Sequence, residues 1–439
     1  MGRPNFIFIL ADDLGYADLG CYGGRAPVSP CLDRMADQGL RFTQGYANSP
    51  VCSPTRFGLL SGRWQYRLRG AAEEPLTGAK ARQRPDLGMP AEHPTFASLL
   101  QAAGWRTALL GKWHLGYPPR FGPLKSGYDT HFGPYSGGVD YFNHQTMKGR
   151  HDLWLDDAPC HTQGYLTDLL SARAVDFVRD CAARAQPFLL SLHYTAPHWP
   201  WETREDEAVA GSLGGEIQHA RGGSIHTYRR MIHHMDEGIG RLLDALDACK
   251  LSQDTLVVFT SDNGGERFSD NWPLIGGKMD LTEGGIRVPY IARWPGRIPA
   301  GSVSDEPIIT MDWSRTFLRA AGVAEAPSHP MDGADLLPLL DAPGTARLDR
   351  PLFWRMKYRD QHAVRQGRWK YLRIEGNEYL FDLSTDERER ANRAVDEPGR
   401  LCALRALYQD WVDSLPPIPD DADYDLVVTE RDMPGAHLR

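Results

Sequence analysis

Residues 5–10 (NFIFIL) form an uninterrupted apolar run bounded by Pro4 and Asp12. A strand with no polar alternation has to be covered on both faces, which fits the middle of a parallel sheet with helices on each side. The run delivers Ala11, Asp12 and Asp13 to its carboxyl end, the edge at which open α/β sheets place ligands. Residues 255–260 (TLVVFT) repeat the pattern and end in Ser261, Asp262, Asn263 and two glycines. Two buried strands, each followed at once by a pair of oxygen-bearing side chains, set both the fold class and the edge on which chemistry is expected.

The other elements follow from periodicity and punctuation. Arg106–Leu110, Phe188–Tyr194 and Val288–Trp294 read as further strands. Helices are predicted over Pro30–Gly39, from Cys52 to near Gly62, over Thr95–Ala103, Leu166–Arg184, Tyr228–Cys249 and Asp312–Ala320. In the fifth of these, Ile232, Met235, Ile239, Leu242, Leu243 and Leu246 make the buried stripe. After about residue 345 the texture changes to short alternating segments, Leu352–Met356, Gln361–Gln366, Trp369–Arg373 and Tyr379–Asp382, with a helix over Ala403–Leu415. The expected architecture is α/β: a large, mixed, mostly parallel sheet sandwiched by helices in residues 1–345. Residues 346–439 add a smaller antiparallel sheet, a helix and an extended or disordered tail from Pro416.

Three stretches carry little periodicity. Residues 63–90 read as a surface excursion and 202–224 as a mobile polar segment, and both are candidates to lid a site. Residues 117–164 are long for structureless loop, as binding rims often are. Around them Trp113, Tyr135, Tyr141, His144, His151, Trp154, Trp199 and Trp201 offer rings that stack on a sugar or an aryl group, or that anchor the loops.

With 439 residues and a formal net charge of −8, the chain is large enough for several buried layers and argues against nucleic acid as a partner. Seven cysteines without a Cys-x-x-Cys pair fit neither a disulfide scaffold nor structural zinc. The first strand is too short for a signal-peptide core with a cleavage site, and no later run spans a membrane, so the chain as given reads as cytoplasmic. With a leader removed it would be periplasmic or secreted.

Residues 51–56 (VCSPTR) concentrate the chemistry. Pro54 suits the first turn of a helix, which puts Cys52 or Ser53 at the cap beside free backbone donors, where a thiol can be acidified. A lone cysteine also fits a small buried hydrophobe. Arg56 lies one turn on and can return to Cys52 from the same helix face. Asp12, Asp13, Asp262 and Asn263 offer hard oxygen ligands suited to Ca²⁺ or Mg²⁺, although an Asp pair beside a glycine turn also makes an Asx-turn. Lys112 and His114 alternate along an extended segment and so point the same way. His198 (in APHWP) and Lys278 (in GGK) complete a cationic set.

Cys52-x-Pro54-x-Arg56 resembles the signature of the type I sulfatases, in the alkaline phosphatase superfamily, with Thr55 where the most familiar form has Ser. The motifs at residues 12–16, 112–116, 198, 262–265 and 278–289 agree with that family in order, and the segments at 364–372 and 378–383 resemble its C-terminal part. The resemblance implies that Cys52 is converted to Cα-formylglycine by a formylglycine-generating enzyme, and that the hydrated aldehyde is the nucleophile. Asp12, Asp13, Asp262 and Asn263 then bind a divalent cation, Ca²⁺ or alternatively Mg²⁺, which also contacts residue 52. Arg56 orients the nucleophile, Lys112 contacts sulfate, and His114 takes the proton from the hydroxyl that does not attack. His198 and Lys278 hold the sulfuryl oxygens and assist the leaving oxygen. The implied activity is hydrolysis of a sulfate monoester of a saccharide or small aryl molecule, by a monomer or homo-oligomer. A phosphonate monoester or phosphodiester hydrolase with the same nucleophile is the nearest rival, and a binding protein with unmodified Cys52 the more distant one.

Overall fold

A computed structural model describes residues 2–68, 76, 86–146, 148–212 and 223–418. The remainder of the 63–90 excursion, residues 213–222 of the polar segment and the tail from residue 419 lie outside the described residues. In chain order the strands are β1 (Asn5–Ala11), β2 (Leu40–Phe42), β3 (Gly45–Tyr46), β4 (Arg106–Gly111), β5 (Thr130–Gly133), β6 (Trp154–Leu155), β7 (Ala158–Pro159) and β8 (Phe188–His193). They continue with β9 (Thr255–Ser261), β10 (Tyr290–Arg293), β11 (Ser302–Ser304), β12 (Ile308–Ile309), β13 (Leu352–Met356), β14 (Gln361–Gln366), β15 (Trp369–Ile374) and β16 (Asn377–Asp382).

Ten of them make one sheet in the order β11-β2-β10-β9-β1-β8-β4-β5-β6-β7. The five central strands, β9 to β5, run parallel, whereas β10 enters antiparallel to β9 and to β2. The apolar run of β1 divides its side chains between two cores, as the pleat requires. Ile7, Ile9 and Ala11 enter the layer formed with the helices Pro30–Asp37, Leu166–Ala183 and Ile225–Ala248. Phe6, Phe8 and Leu10 enter the opposite layer, with the helices Cys52–Ser61, Phe96–Ala102 and Asp312–Ala321. Phe6 and Phe8 are fully buried, and burying each contributes about 1.5–3 kcal/mol relative to exposure.

Several boundaries depart from the sequence reading for physical reasons. The Ile225–Ala248 helix begins three residues early because the Ser224 hydroxyl accepts from the Thr227 amide. The region 117–164 contributes β5, β6 and β7 to the sheet. Its strands are two to four residues long, too short to leave a periodic signal. The ends of the 63–90 excursion are not surface: Gln65, Tyr66, Leu68, Leu76, Leu87 and Met89 are buried.

The small sheet has the order β13-β14-β15-β16, antiparallel throughout, and the Pro398–Asp413 helix lies against it. Its apolar side does not close on itself. Leu352, Trp354, Leu380, Leu404 and Trp411 share one core with Tyr46, Trp64, Leu281, Ile286 and Met311 from the large sheet's loops. Lys370 on β15, fully buried, sits 2.9 Å from Glu283 and 2.8 Å from Glu389. Glu283 also accepts from the Tyr46 hydroxyl at 2.7 Å, so the short helix Glu283–Ile286 is anchored at its first residue.

Candidate active site

The parallel register brings the sequence-distant candidates together. β1 and β9 pair Ala11 with Ser261, so the following residues, Asp12 and Asp262, emerge side by side; the Asp262 amide donates to the Ala11 carbonyl at 3.1 Å. The Asp12 amide donates to Ala196, just beyond β8, and the Lys112 amide, just beyond β4, donates to His193. Four strand ends thus converge at one edge of the sheet.

Asp12, Asp13 and Asp262 place one carboxylate oxygen each within 4.8 Å of one another, and all three are buried. Each has a cationic partner. Lys112 Nζ lies 2.5 Å from Asp12 Oδ2, Lys278 Nζ 2.6 Å from Asp13 Oδ2, and Arg56 Nη2 2.8 Å from Asp262 Oδ2. The Asn263 amide donates to Asp13 Oδ1 at 2.7 Å. Two buried oxygens, Asp12 Oδ1 and Asn263 Oδ1, accept no hydrogen bond among the described residues. Unsatisfied buried acceptors beside three carboxylates are what a hard divalent cation would relieve, and the donor set is all oxygen. Asp12, Cys52 and His198 form a second triplet within 4.8 Å, so the cysteine borders the same cluster.

Cys52 is the first residue of the Cys52–Ser61 helix and Val51 is its cap, one residue earlier than the sequence reading placed it. The expectation of an acidified thiol is overturned. The side chain is 4% exposed; burial, then the neighbouring Asp12 and Asp262 carboxylates, outweigh Lys112 and Lys278 and push the thiol up to about 12.

Arg56 is wholly buried and its contacts run to the Asp262 carboxylate, the Lys112 carbonyl at 3.1 Å and His193 Nδ1 at 3.4 Å. It stays charged because Asp262 and Asp12 more than offset its burial. Burial also raises Asp13, but Lys278, His198 and Lys112 bring it down to about 2. Burial and the Asp12 charge push Asp262 up to about 6 against the pull of Arg56.

His114 departs from the expected geometry. β4 ends at Gly111, and His114 takes a left-handed conformation (φ 57°), so strand alternation with Lys112 does not aim it. Its Nε2 faces the Leu76 carbonyl at 2.7 Å. A carbonyl only accepts, so Nε2 carries the proton and Nδ1 is the free base, buried and without a partner among the described residues. Burial, then the Lys112 and Arg56 charges, hold the imidazole well below its usual range. His198 is brought down to about 3 by burial and Lys278, against Asp13. Lys278 is held well above the usual lysine range by Asp13 and Glu266, which outweigh its burial.

Two groups of the cluster escaped the sequence reading. Glu266 reaches Lys278 at 3.6 Å from the loop after Asn263, and His193 contacts Arg56. The signal for His193 was legible: a titratable residue ends an otherwise apolar strand, Phe188–His193. Glu266 gave none beyond its closeness in sequence to Asn263. Of the expected rim rings, Trp113, Tyr135, Tyr141, His144 and Trp201 are buried anchors, whereas Trp154, Trp199 and His151 are partly open. Trp199 lies against His198, ring centroids 4.5 Å apart.

Residues 4–323 match the sulfatase family model, and residues 277–404 match the model of the N-sulphoglucosamine sulphohydrolase C-terminal region. The chain is 35% identical over 372 residues to N-acetylgalactosamine-6-sulfatase of Canis lupus familiaris, covering 80% of this chain and 68% of that protein. It is 28% identical over 542 residues to steryl-sulfatase of Homo sapiens, covering 95% and 89%. Among solved structures it resembles Ps i-CgsB in complex with k-i-k-neocarrahexaose, with a TM-score of 0.83, 30% identity and 93% of each chain covered.

Proposed function

The chain belongs to the formylglycine-dependent sulfatases and is a sulfuric-ester hydrolase, and we propose that its substrate is a sulfated saccharide cleaved at Cys52 after that residue becomes Cα-formylglycine. The observation that carries this reading is a buried cysteine at a helix start, bordering a carboxylate cluster with two acceptors unfilled among the described residues and with Lys112, Lys278 and Arg56 paired to it. A saccharide is favoured because Ps i-CgsB was solved with k-i-k-neocarrahexaose and because N-acetylgalactosamine-6-sulfatase is among the relatives. A formylglycine-generating enzyme is the maturation partner.

In the mature protein the formylglycine hydrate supplies two hydroxyls, one to attack sulfur and one to expel sulfate afterwards. Asp12, Asp13, Asp262, Asn263 and residue 52 would hold a divalent cation, which would supply Lewis acidity. The chain's own groups do the rest. Lys112, His198 and Lys278 offset charge on the sulfuryl oxygens, a preorganised arrangement that needs no reorientation during reaction. Lys278 or His198, which both face Asp13, gives the leaving oxygen its proton. His114 Nδ1 takes the proton of the second hydroxyl. Arg56 fixes Asp262 and the Lys112 carbonyl, and so the relative placement of two strand ends.

The reading is tested by the mass of the peptide carrying residue 52, from protein made in its native host, with rates on matched sulfate, phosphate and phosphonate esters. Formylglycine with sulfate preferred is expected; an intact cysteine in fully active protein would end it. Metal analysis is expected to give about one equivalent of Ca²⁺ or Mg²⁺. Chelation should remove activity and lower Tm, since an ion at 100 times its Kd stabilises by about 2.7 kcal/mol. Full activity without metal would refute the ligand assignment.

The pH profile follows from His114. Its folded pKa lies below 6.5, so the base form persists as pH falls through 6.5 and is lost only at lower pH. The acid limb of kcat is therefore expected below the ordinary imidazole range. A limb centred at or above 6.5 that vanishes in His114→Ala would contradict this.

A further inference from the structure

The residue after Lys278 is strained. Met279 has φ 80°, a left-handed conformation that costs a non-glycine residue free energy and persists only where surroundings enforce it. What enforces it comes from the small sheet. Gln361, the first residue of β14 and wholly buried, donates from Nε2 to the Met279 carbonyl at 2.8 Å and accepts at Oε1 from the Leu281 amide at 2.9 Å. Its second amide hydrogen goes to the Tyr358 carbonyl at 3.1 Å. One planar side chain thus spans three residues of the Lys278 segment, as a neighbouring strand would. On the other side, the Met279 amide donates to the Pro50 carbonyl at 2.9 Å, two residues before Cys52, and the Lys278 amide donates to Gly265 at 3.1 Å.

We infer that Gln361 is a positioning residue for catalysis: its amide clamps the Met279–Leu281 backbone in the left-handed turn that aims the Lys278 ammonium at the reacting group. The inference rests on the role proposed above for Lys278. Gln361 touches no reacting atom and acts only through that lysine. The neighbouring hairpin adds a weaker hold, Arg359 to Asp280 at 3.5 Å. Without the clamp, a turn with an unfavourable φ relaxes, and displacement of a charged group by about 1 Å is enough to cost up to about 10²-fold in rate.

The test is a double-mutant cycle on the metal-loaded, formylglycine-bearing enzyme with a chromogenic aryl sulfate. Gln361→Met keeps the length and removes all three hydrogen bonds; it is expected to lower kcat/KM roughly 10- to 100-fold. In a Lys278→Ala background the same change is expected to cost less than about twofold. Equal losses in both backgrounds, or no loss in the parent, overturn the inference. Should Gln361→Met not fold, Gln361→Glu preserves the acceptor for Leu281. Its activity relative to the parent should recover as pH falls and the protonated carboxyl donates to Met279; a ratio flat with pH overturns the inference equally. If Lys278→Ala alone leaves turnover intact, the reading of Lys278 fails and the inference with it. A damaging Lys278→Ala beside a silent Gln361→Met removes the inference alone.

Discussion

Cys52→Ala is expected to abolish sulfate ester hydrolysis, by more than about 10⁴-fold in kcat, while the protein stays folded. The two halves of this outcome have separate causes. Without residue 52 no group at the helix start can form the covalent sulfated intermediate, and the surrounding cations still bind sulfate without turning it over. The fold survives because the change removes only one small group from beside Val51, Met279 and Met356, a loss of about 1 kcal/mol. Circular dichroism and a thermal melt establish the fold, and initial rates at saturating substrate establish the loss. Turnover near the parent value in the variant would mean that residue 52 is not the nucleophile.

Arg56→Met is the second large effect, and it falls on stability and activity together. Arg56 and Asp262 are both wholly buried, 2.8 Å apart. Removing the cation leaves a buried carboxylate facing Asp12 without its main partner, and breaking such pairs costs about 3–5 kcal/mol. Urea denaturation should show this as a lowered midpoint at unchanged slope. Activity should fall at least about 10³-fold in the fraction that remains folded, because Asp262 and the Lys112 carbonyl lose their common tether. Arg56→Lys should recover only part of either, since an ammonium cannot reproduce the guanidinium's several directed bonds. A midpoint within error of the parent for Arg56→Met would show that the carboxylates need no such partner.

The sheet was legible because its central strands are covered on both faces. Residues 5–10 and 255–260 admit little except buried strand, and the polar residues that end them are conspicuous for that reason. The candidate cluster at Asp12, Asp13, Asp262 and Asn263 followed from the same contrast. Short strands such as Gly45–Tyr46 and Ile308–Ile309 were not legible, because a two-residue strand is fixed by its partner and leaves no period in its own sequence. The state of the Cys52 thiol was also out of reach. It depends on burial and on carboxylates about 40 and 210 positions away in the chain, which local capping arguments do not see. Gln361 is the sharpest case: in sequence it is the first residue of a short alternating strand, and only the tertiary contact with Met279 and Leu281 gives its amide a purpose.

The core shared between the two sheets bears on how such a chain can change over generations. Trp64 meets Trp411 edge to face at 5.6 Å, and Phe353 stacks on Trp411 at 4.8 Å, so residues more than 300 positions apart form one packed surface. A substitution on either side of this core must be accommodated on the other. The hydrogen bonds linking Pro50, Met279 and Gln361 carry the same coupling up to the catalytic edge.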